Sequence, residues 1–328
     1  MLLTFVVLIV AIFPFGRSFE MMSSARKAPS FRYRTASSVK TATLKCSLIP
    51  VTHMAALGTG LLTKNYNLAT AILVPSSLGY FRREYGVSYG YGGSMAAAAY
   101  LSYKNPLNSL NKAHSLLHLV YGIRLIAYLL FRELTIPRFR EMRERIERNS
   151  PKTRIARTPF ILQCAMLYFF MSLPVVITSQ VPAPPPGSML SRLSWGALGV
   201  SALGLVVNII GDLHKTIAKL RGRSLVMGGL YSFLRHPNYT GELFLWSFSS
   251  IVSLLVACSA PMWTMKLGLQ CAGSVLGAFG IAFVLALAAT GLERRQREAY
   301  GSNTYDAWVK KTWGGLTLAK KDDTNKTR

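Results

Sequence analysis

Residues 228–246 read GGLYSFLRHPNYTGELFLW. Arg235, His236, Asn238, Tyr239 and Glu242 fall within eight positions, and the chain then runs apolar to about residue 258. Pro237 has no amide proton and suits the first turn of a helix, so a helix is predicted to start at Arg235–Pro237. Its first turn would present free amide protons and partial positive charge, an arrangement that favours an anion. Arg235 adds a guanidinium able to hold phosphate or carboxylate in a forked geometry. Glu242 then enters the apolar run, where an unpaired carboxylate is costly. A basic side chain or a ligand hydroxyl is expected to satisfy it. The stretch therefore reads as a membrane-length helix entered through a polar, cationic mouth.

The rest of the chain repeats the apolar part of that pattern. Of 328 residues, 51% are hydrophobic and 16% charged, against roughly a quarter charged in a soluble protein. Apolar segments near the ~18–20 residues that cross a bilayer occur at about 47–63, 66–81, 86–103, 113–131, 158–180, 190–211, 236–258 and 263–291. The fold class is all-α, a polytopic transmembrane bundle of six to eight spans. The last segment is long enough for one tilted helix or two shorter ones, and Gly268, Gly273, Gly277 and Gly280 offer close helix contacts there. The proline-rich VPAPPPGS at 181–188 must be a loop. The charge alternation of RFREMRERIERN at 138–149 reads as a solvated surface helix.

The formal charge of +25 is carried by connecting segments such as 132–157, 215–223 and 294–311, and by the N-terminus. Basic loops flanking apolar spans fit the positive-inside bias and attraction to anionic lipid. A nucleic-acid partner would require a folded basic module studded with aromatic side chains, and none is visible. Cys46, Cys164, Cys258 and Cys271 show no C-x-x-C spacing and read as buried small hydrophobes.

MLLTFVVLIVAIFPFGRSF opens the chain as a signal-type region, followed by a stretch rich in Arg, Lys, Ser and Thr with one acid, Glu20. The combination resembles the bipartite presequence of algae whose plastids lie inside extra membranes, with Phe19 or Phe15 after the signal cleavage point. The alternative is an N-terminal anchor with a basic linker. The expected layout is a presequence over 1–45, a transmembrane domain over 46–318 whose cofactor-binding half is 190–318, and a disordered basic tail over 319–328. A plastid membrane is the expected location, the endoplasmic reticulum the alternative.

Polar residues gather in the C-terminal half. Asn208 and Asp212, four apart, project from one helix face, with Lys215 and Lys219 on nearly the same stripe. Glu293 follows the last span, and Tyr300, Tyr305 and Trp308 lie on a short amphipathic helix that either caps a cavity or rests at the interface. In the N-terminal half, His114, His118 and Arg124 share one apolar run. They either face a partner or wet cavity, or sit at the interface with the arginine reaching to water. As a metal site the His pair is weak, having no third ligand nearby.

RHPNYTGELFLW, preceded by GDLHK and followed by LERRQREAYGSNTYDAWVKKT, resembles the membrane family whose C-terminal domain is like that of steroid 5-alpha reductases. The resemblance covers about residues 80–318. It implies a bundle of about seven transmembrane helices that holds NADPH in its cytosol-facing half. It matches that family's Asn-x-x-x-Asp pair at Asn208 and Asp212, and its Pro-Asn-Tyr/Phe-x-Gly-Glu turn at Pro237, Asn238, Tyr239, Gly241 and Glu242. The Glu–Tyr pair those enzymes place near the substrate carbonyl has no aligned counterpart here. The Arg-His-Pro triplet is similar to isoprenylcysteine carboxyl methyltransferases, which bind S-adenosylmethionine, and to sterol double-bond reductases.

The expected function is NADPH-dependent reduction of an activated carbon–carbon double bond in a lipid or steroid-like substrate. The alternative is an S-adenosylmethionine-dependent methyltransferase, and a third reading is a binding protein without turnover. Expected cofactor contacts are Asn208, Asp212, Lys215, Arg235, His236, Asn238, Tyr239, Glu242 and Glu293. No metal is expected, and no catalytic residue is assigned. A tyrosine would serve as polarising donor, with Tyr91 or Tyr121 suggested by position alone. The partners are the bilayer and a lipophilic small molecule.

Overall fold

The computed structural model describes residues 66–314 except 152 and 222–224. The presequence, the segment 47–63 and the tail at 319–328 lie outside the described residues. In chain order the helices are α1 Tyr66–Ser76, α2 Arg83–Val87, α3 Tyr89–Lys104, α4 Ser109–Thr135, α5 Pro137–Arg148, α6 Thr158–Gln180, α7 Met189–Leu220, α8 Pro237–Ala257, α9 Met265–Tyr300 and α10 Ser302–Val309. Among the described residues there is no strand; the one isolated bridge joins Leu234 to Trp313. The all-α polytopic class is what the structure has.

Local chemistry sets the boundaries. Asn108 caps α4 by accepting from Asn111 N at 2.8 Å, Ser188 caps α7 from Ser191 N at 3.1 Å, and Thr264 caps α9 from Leu267 N at 3.2 Å. Ile136 is extended because a proline follows it, which ends α4 and starts α5. Pro237 opens α8, with His236 as its cap residue. The prolines of 181–188 form the loop between α6 and α7.

Five helices, α4, α6, α7, α8 and α9, are long and apolar enough to cross a membrane. Two segments read as spans are shorter: α1 has 11 residues and α3 has 16, about 24 Å of rise for the latter. α3 runs antiparallel to α4, because Tyr89 meets Glu133 near the end of α4 while Lys104 leads directly to its start. The stretch 263–291 is a single helix, α9, of 36 residues.

Close backbone approach fixes the packing. A Cβ on Gly241 would lie 2.4 Å from Gly204 O and 2.5 Å from Asn208 N, so α7 and α8 touch backbone to backbone. A Cβ on Gly122 would lie 2.5 Å from Gly92 O, bringing α3 onto α4 in the same way. Gly277 lets α9 reach the α6 backbone at Phe170, the turn whose carbonyl Pro174 leaves without a helical donor. Gly268, by contrast, meets nothing.

The two ends differ in charge. Connections 105–108, 181–188 and 258–264 contain no charged side chain, whereas those around 136–157, 221–236 and 293–311 are rich in Arg and Lys. The positive-inside bias assigns the basic end to the non-translocated side. Two sequence expectations need correction. Arg143 of α5 is fully buried rather than solvated, because Glu84 and Glu133 draw its guanidinium inward. Cys258 is exposed, since it follows α8 at the uncharged end, while Cys164 and Cys271 are buried.

Candidate functional site

The contact of α7 with α8 places their polar residues side by side, in three tiers along the bundle. At the basic end Glu293 of α9 lies 2.8 Å from Arg235 Nε and accepts from His236 Nε2 at 3.0 Å. The segment after α10 returns to this point: Arg235 N donates to Trp313 O at 3.1 Å, and Trp313 N donates to Phe233 O at 2.8 Å. α10 itself sits on the loop, with Tyr305 and Trp308 buried and Trp308 Nε1 donating to Tyr231 O at 3.0 Å. α10 is thus packed onto the loop that leads into α8. His236 stacks on Tyr239 at 5.7 Å. Burial pushes the His236 imidazole below its usual range, against the opposing pull of the Glu293 carboxylate. Lys215 and Arg235 lie near enough to act electrostatically on His236, and Arg132 and Arg295 on Tyr239.

One turn deeper, Arg124 of α4 donates from Nη1 to Asn208 Oδ1 at 2.6 Å and from Nη2 to Asp212 Oδ2 at 2.5 Å. Asn208 Nδ2 donates to Asn238 O at 2.8 Å, and Asn238 Nδ2 to Asp212 Oδ1 at 3.2 Å. Tyr128 reaches Thr216 Oγ1 at 3.0 Å in the same layer. The arginine inside the apolar run therefore faces a partner, and that partner is the Asn–Asp pair.

In the third tier, in the middle of the bundle, Glu242 Oε1 accepts from Tyr91 at 2.8 Å and from Tyr121 at 2.7 Å. The carboxylate is met by two phenols from the N-terminal half rather than by a basic side chain. Tyr168 stacks on Tyr91 at 5.2 Å, and Trp246 packs against Tyr121 at 5.1 Å and His118 at 4.8 Å. Trp246 Nε1 is buried without a hydrogen-bond partner among the described residues.

Asn208, Asp212, Asn238 and Glu242 thus share the α7–α8 seam, while Arg235, His236 and Glu293 form their own cluster one tier above. Lys215 is half-buried near that cluster, and Lys219 points outward to Tyr300 at 2.9 Å. His114 and His118 both meet Ser249 Oγ at 2.8 Å. Among the described residues no group of three metal-ligating side chains occurs. Sequence reasoning left Arg124 between two readings and assigned no role to the Tyr91–Glu242–Tyr121 contact. A signal was present: Asn111, His114, His118, Tyr121, Arg124 and Tyr128 recur every three or four residues on one face of α4.

The family described as a protein of unknown function (DUF1295) matches residues 87–312. The chain belongs to that family. Comparison with curated proteins and with solved structures gives no match. The matched region takes in all three tiers and every helix from α3 to α10.

Proposed function

We propose that this protein is an integral membrane reductase that uses NADPH to saturate an activated carbon–carbon double bond in a lipid or steroid-like substrate. The observation that carries the proposal is the buried carboxyl group of Glu242 held by the hydroxyls of Tyr91 and Tyr121. Saturating a conjugated double bond requires a donor for the oxyanion that develops on the substrate, placed where water is excluded. Either phenol can turn its hydroxyl from Glu242 toward a substrate oxygen while the other keeps the carboxylate in place. Methyl transfer needs no such donor, which ranks the methyltransferase reading second. The likeness of Asn208–Asp212 and the Pro237–Glu242 turn to steroid 5-alpha reductases supports the same choice.

The residues present fit an anionic dinucleotide. Arg132, Lys215, Arg235 and Arg295 give the basic tier an excess of positive charge around Glu293, suited to phosphates. The Asn208, Asp212 and Asn238 side chains, with Arg124, offer donors and acceptors for ribose and amide groups. NADPH, when bound, supplies the hydride. The protein's residues orient it, exclude water from the reacting carbon and stabilise negative charge on the substrate through Tyr91 or Tyr121.

Thermal unfolding of the purified protein tests this, since a ligand that binds only the folded form raises the midpoint. NADPH is expected to raise it saturably, and Asp212→Asn to weaken that effect by about ten- to a hundredfold, the worth of a charged hydrogen bond. Stabilisation by S-adenosylmethionine alone would reverse the choice of cofactor.

A further inference from the structure

At the basic end α9 does not run on into α10. Gly301 joins them at φ 80° and ψ 145°, a backbone region that only glycine enters readily, although a Cβ there would meet no neighbour. The residue is a glycine for its backbone, and the bend it makes lays the segment up to 314 onto the loop that leads into α8. The inner face of this segment is Tyr305, Trp308 and Val309, packed on Ala218, Val226 and Tyr231. That cluster is separate from the two that form the core of the bundle. Its polar ties among the described residues are the Trp308 indole on Tyr231 O, the two backbone bonds of Trp313, and the exposed Arg297–Asp306 pair at 2.8 Å. An exposed pair is worth little. A unit with a small core of its own opens at lower cost than the bundle beneath it.

Under the segment lies the tier that the cofactor reading assigns to phosphate. Gly314 is packed against the Arg235 guanidinium, where no side chain would fit. The Arg235 side chain is 11% exposed beneath it. A phosphate that meets this guanidinium from water has to displace the segment. Tyr305 supplies a second observation. It is 3% exposed, its hydroxyl has no hydrogen-bond partner among the described residues, and Glu293 and Arg235 lie near enough to act on it electrostatically. Buried hydroxyls are ordinarily paired, and Glu293 is already met by Arg235 and His236. Near a guanidinium, an unpaired O–H adds a donor for the oxygens of an anion.

We propose that residues 301–314 form a lid hinged at Gly301, which lifts to admit a phosphate-bearing ligand to Arg235 and closes with the Tyr305 hydroxyl on a phosphate oxygen. The proposal deepens the cofactor reading and rests on it for the identity of the ligand, so inorganic pyrophosphate is used as a probe beside NADPH. Leu234 and Trp313 bridge loop and lid. Leu234→Cys with Trp313→Cys sets two thiols at the spacing of paired strands, within reach of a disulfide. Binding is followed by tryptophan fluorescence on the full chain in lipid nanodiscs, oxidised with diamide or reduced with dithiothreitol, and the unaltered protein treated alike controls for its own cysteines. The disulfide is expected to slow entry of both probes by at least about tenfold, as when binding waits on a conformational change, and reduction to restore it. Tyr305→Phe is expected to weaken binding of both by about ten- to a hundredfold, the worth of a hydrogen bond to a charged group. Its thermal midpoint without ligand is expected to be unchanged or higher, since only an unpaired hydroxyl is removed. A lowered midpoint, or an unchanged affinity, overturns the hydroxyl contact. Entry as fast in the oxidised protein as in the reduced overturns the lid. Pyrophosphate slowed by the disulfide with no response to NADPH overturns the cofactor reading and leaves the lid standing, and no response of the unaltered protein to either probe overturns both.

Discussion

Glu133 and Glu242 each accept hydrogen bonds from two tyrosine hydroxyls, yet their surroundings differ. Glu133 takes Tyr85 at 2.7 Å and Tyr89 at 2.6 Å, and is also paired with Arg143, which bridges to Glu84 at 3.0 Å. Arg82 lies 3.9 Å away, and Arg143 sits over the Tyr85 and Tyr89 rings. Glu242 takes Tyr91 and Tyr121 on a single oxygen, and no cation lies within ion-pair distance among the described residues. The first cluster is neutralised by its own members and ties α2 and α3 to the junction of α4 and α5. The second is surrounded by rings, one of which holds an unpaired donor. The same three side chains, one Glu and two Tyr, make a structural lock where a guanidinium completes them, and where none does the carboxyl is left to the chemistry proposed above.

The largest effect that could break this contrast is on Arg143. Arg143→Met leaves the half-buried Glu84 and Glu133 together without their cation, and is expected to destabilise the protein by about 3 kcal/mol, measured by denaturant unfolding in detergent. A loss of under ~1 kcal/mol would show that the first cluster is no lock. The same isosteric change made at both carboxylates sharpens the comparison. Glu133→Gln is expected to cost about 2 kcal/mol, the worth of a hydrogen bond to a charged group, because Arg143 keeps only Glu84 as an anionic partner. Glu242→Gln is expected to cost about 1 kcal/mol or less, since its amide oxygen still accepts from both tyrosines. Equal losses would erase the distinction.

The smallest effect is in pH. Burial lowers the His236 value in the folded protein, so below the ordinary histidine range the unfolded chain binds more protons. Stability is full above about pH 6.5, the unfolded value, and declines as pH falls from there. Glu84 acts in the opposite sense, because burial raises its carboxyl and acid favours the folded state. His236→Gln isolates the histidine: the midpoint difference between variant and parent is expected to shrink steadily from pH 7 to pH 5. A difference that stays constant across that window contradicts a neutral, buried imidazole.

The fold was legible because bilayer-length apolar runs, capping residues and the prolines at 136–137, 181–188 and 236–237 are all local signals. The close seating of α3 on α4 was not, since nothing local shows that Gly92 and Gly122 face each other. At the site, Asn208–Asp212 and Asn238–Glu242 were readable as i, i+4 pairs of one face. Their partners were not, because Arg124, Tyr91 and Tyr121 lie about 80 to 150 positions away and only packing brings them in. Arg143 misled for a related reason: on a helix of alternating charge nothing local marks the one guanidinium that turns inward.

Isotope transfer reads out what Glu242 and its two phenols do. Purified protein is incubated with NADPH deuterated at the nicotinamide C4 and with a total lipid extract, and the lipids are analysed by mass spectrometry. Deuterium is expected on carbon in a product two hydrogens richer than its precursor, formed by the unaltered protein and lost in a folded variant that carries Tyr91→Phe and Tyr121→Phe together. Deuterated product formed at an unchanged rate by that variant would contradict it, as would a methyl group delivered to lipid from S-adenosylmethionine.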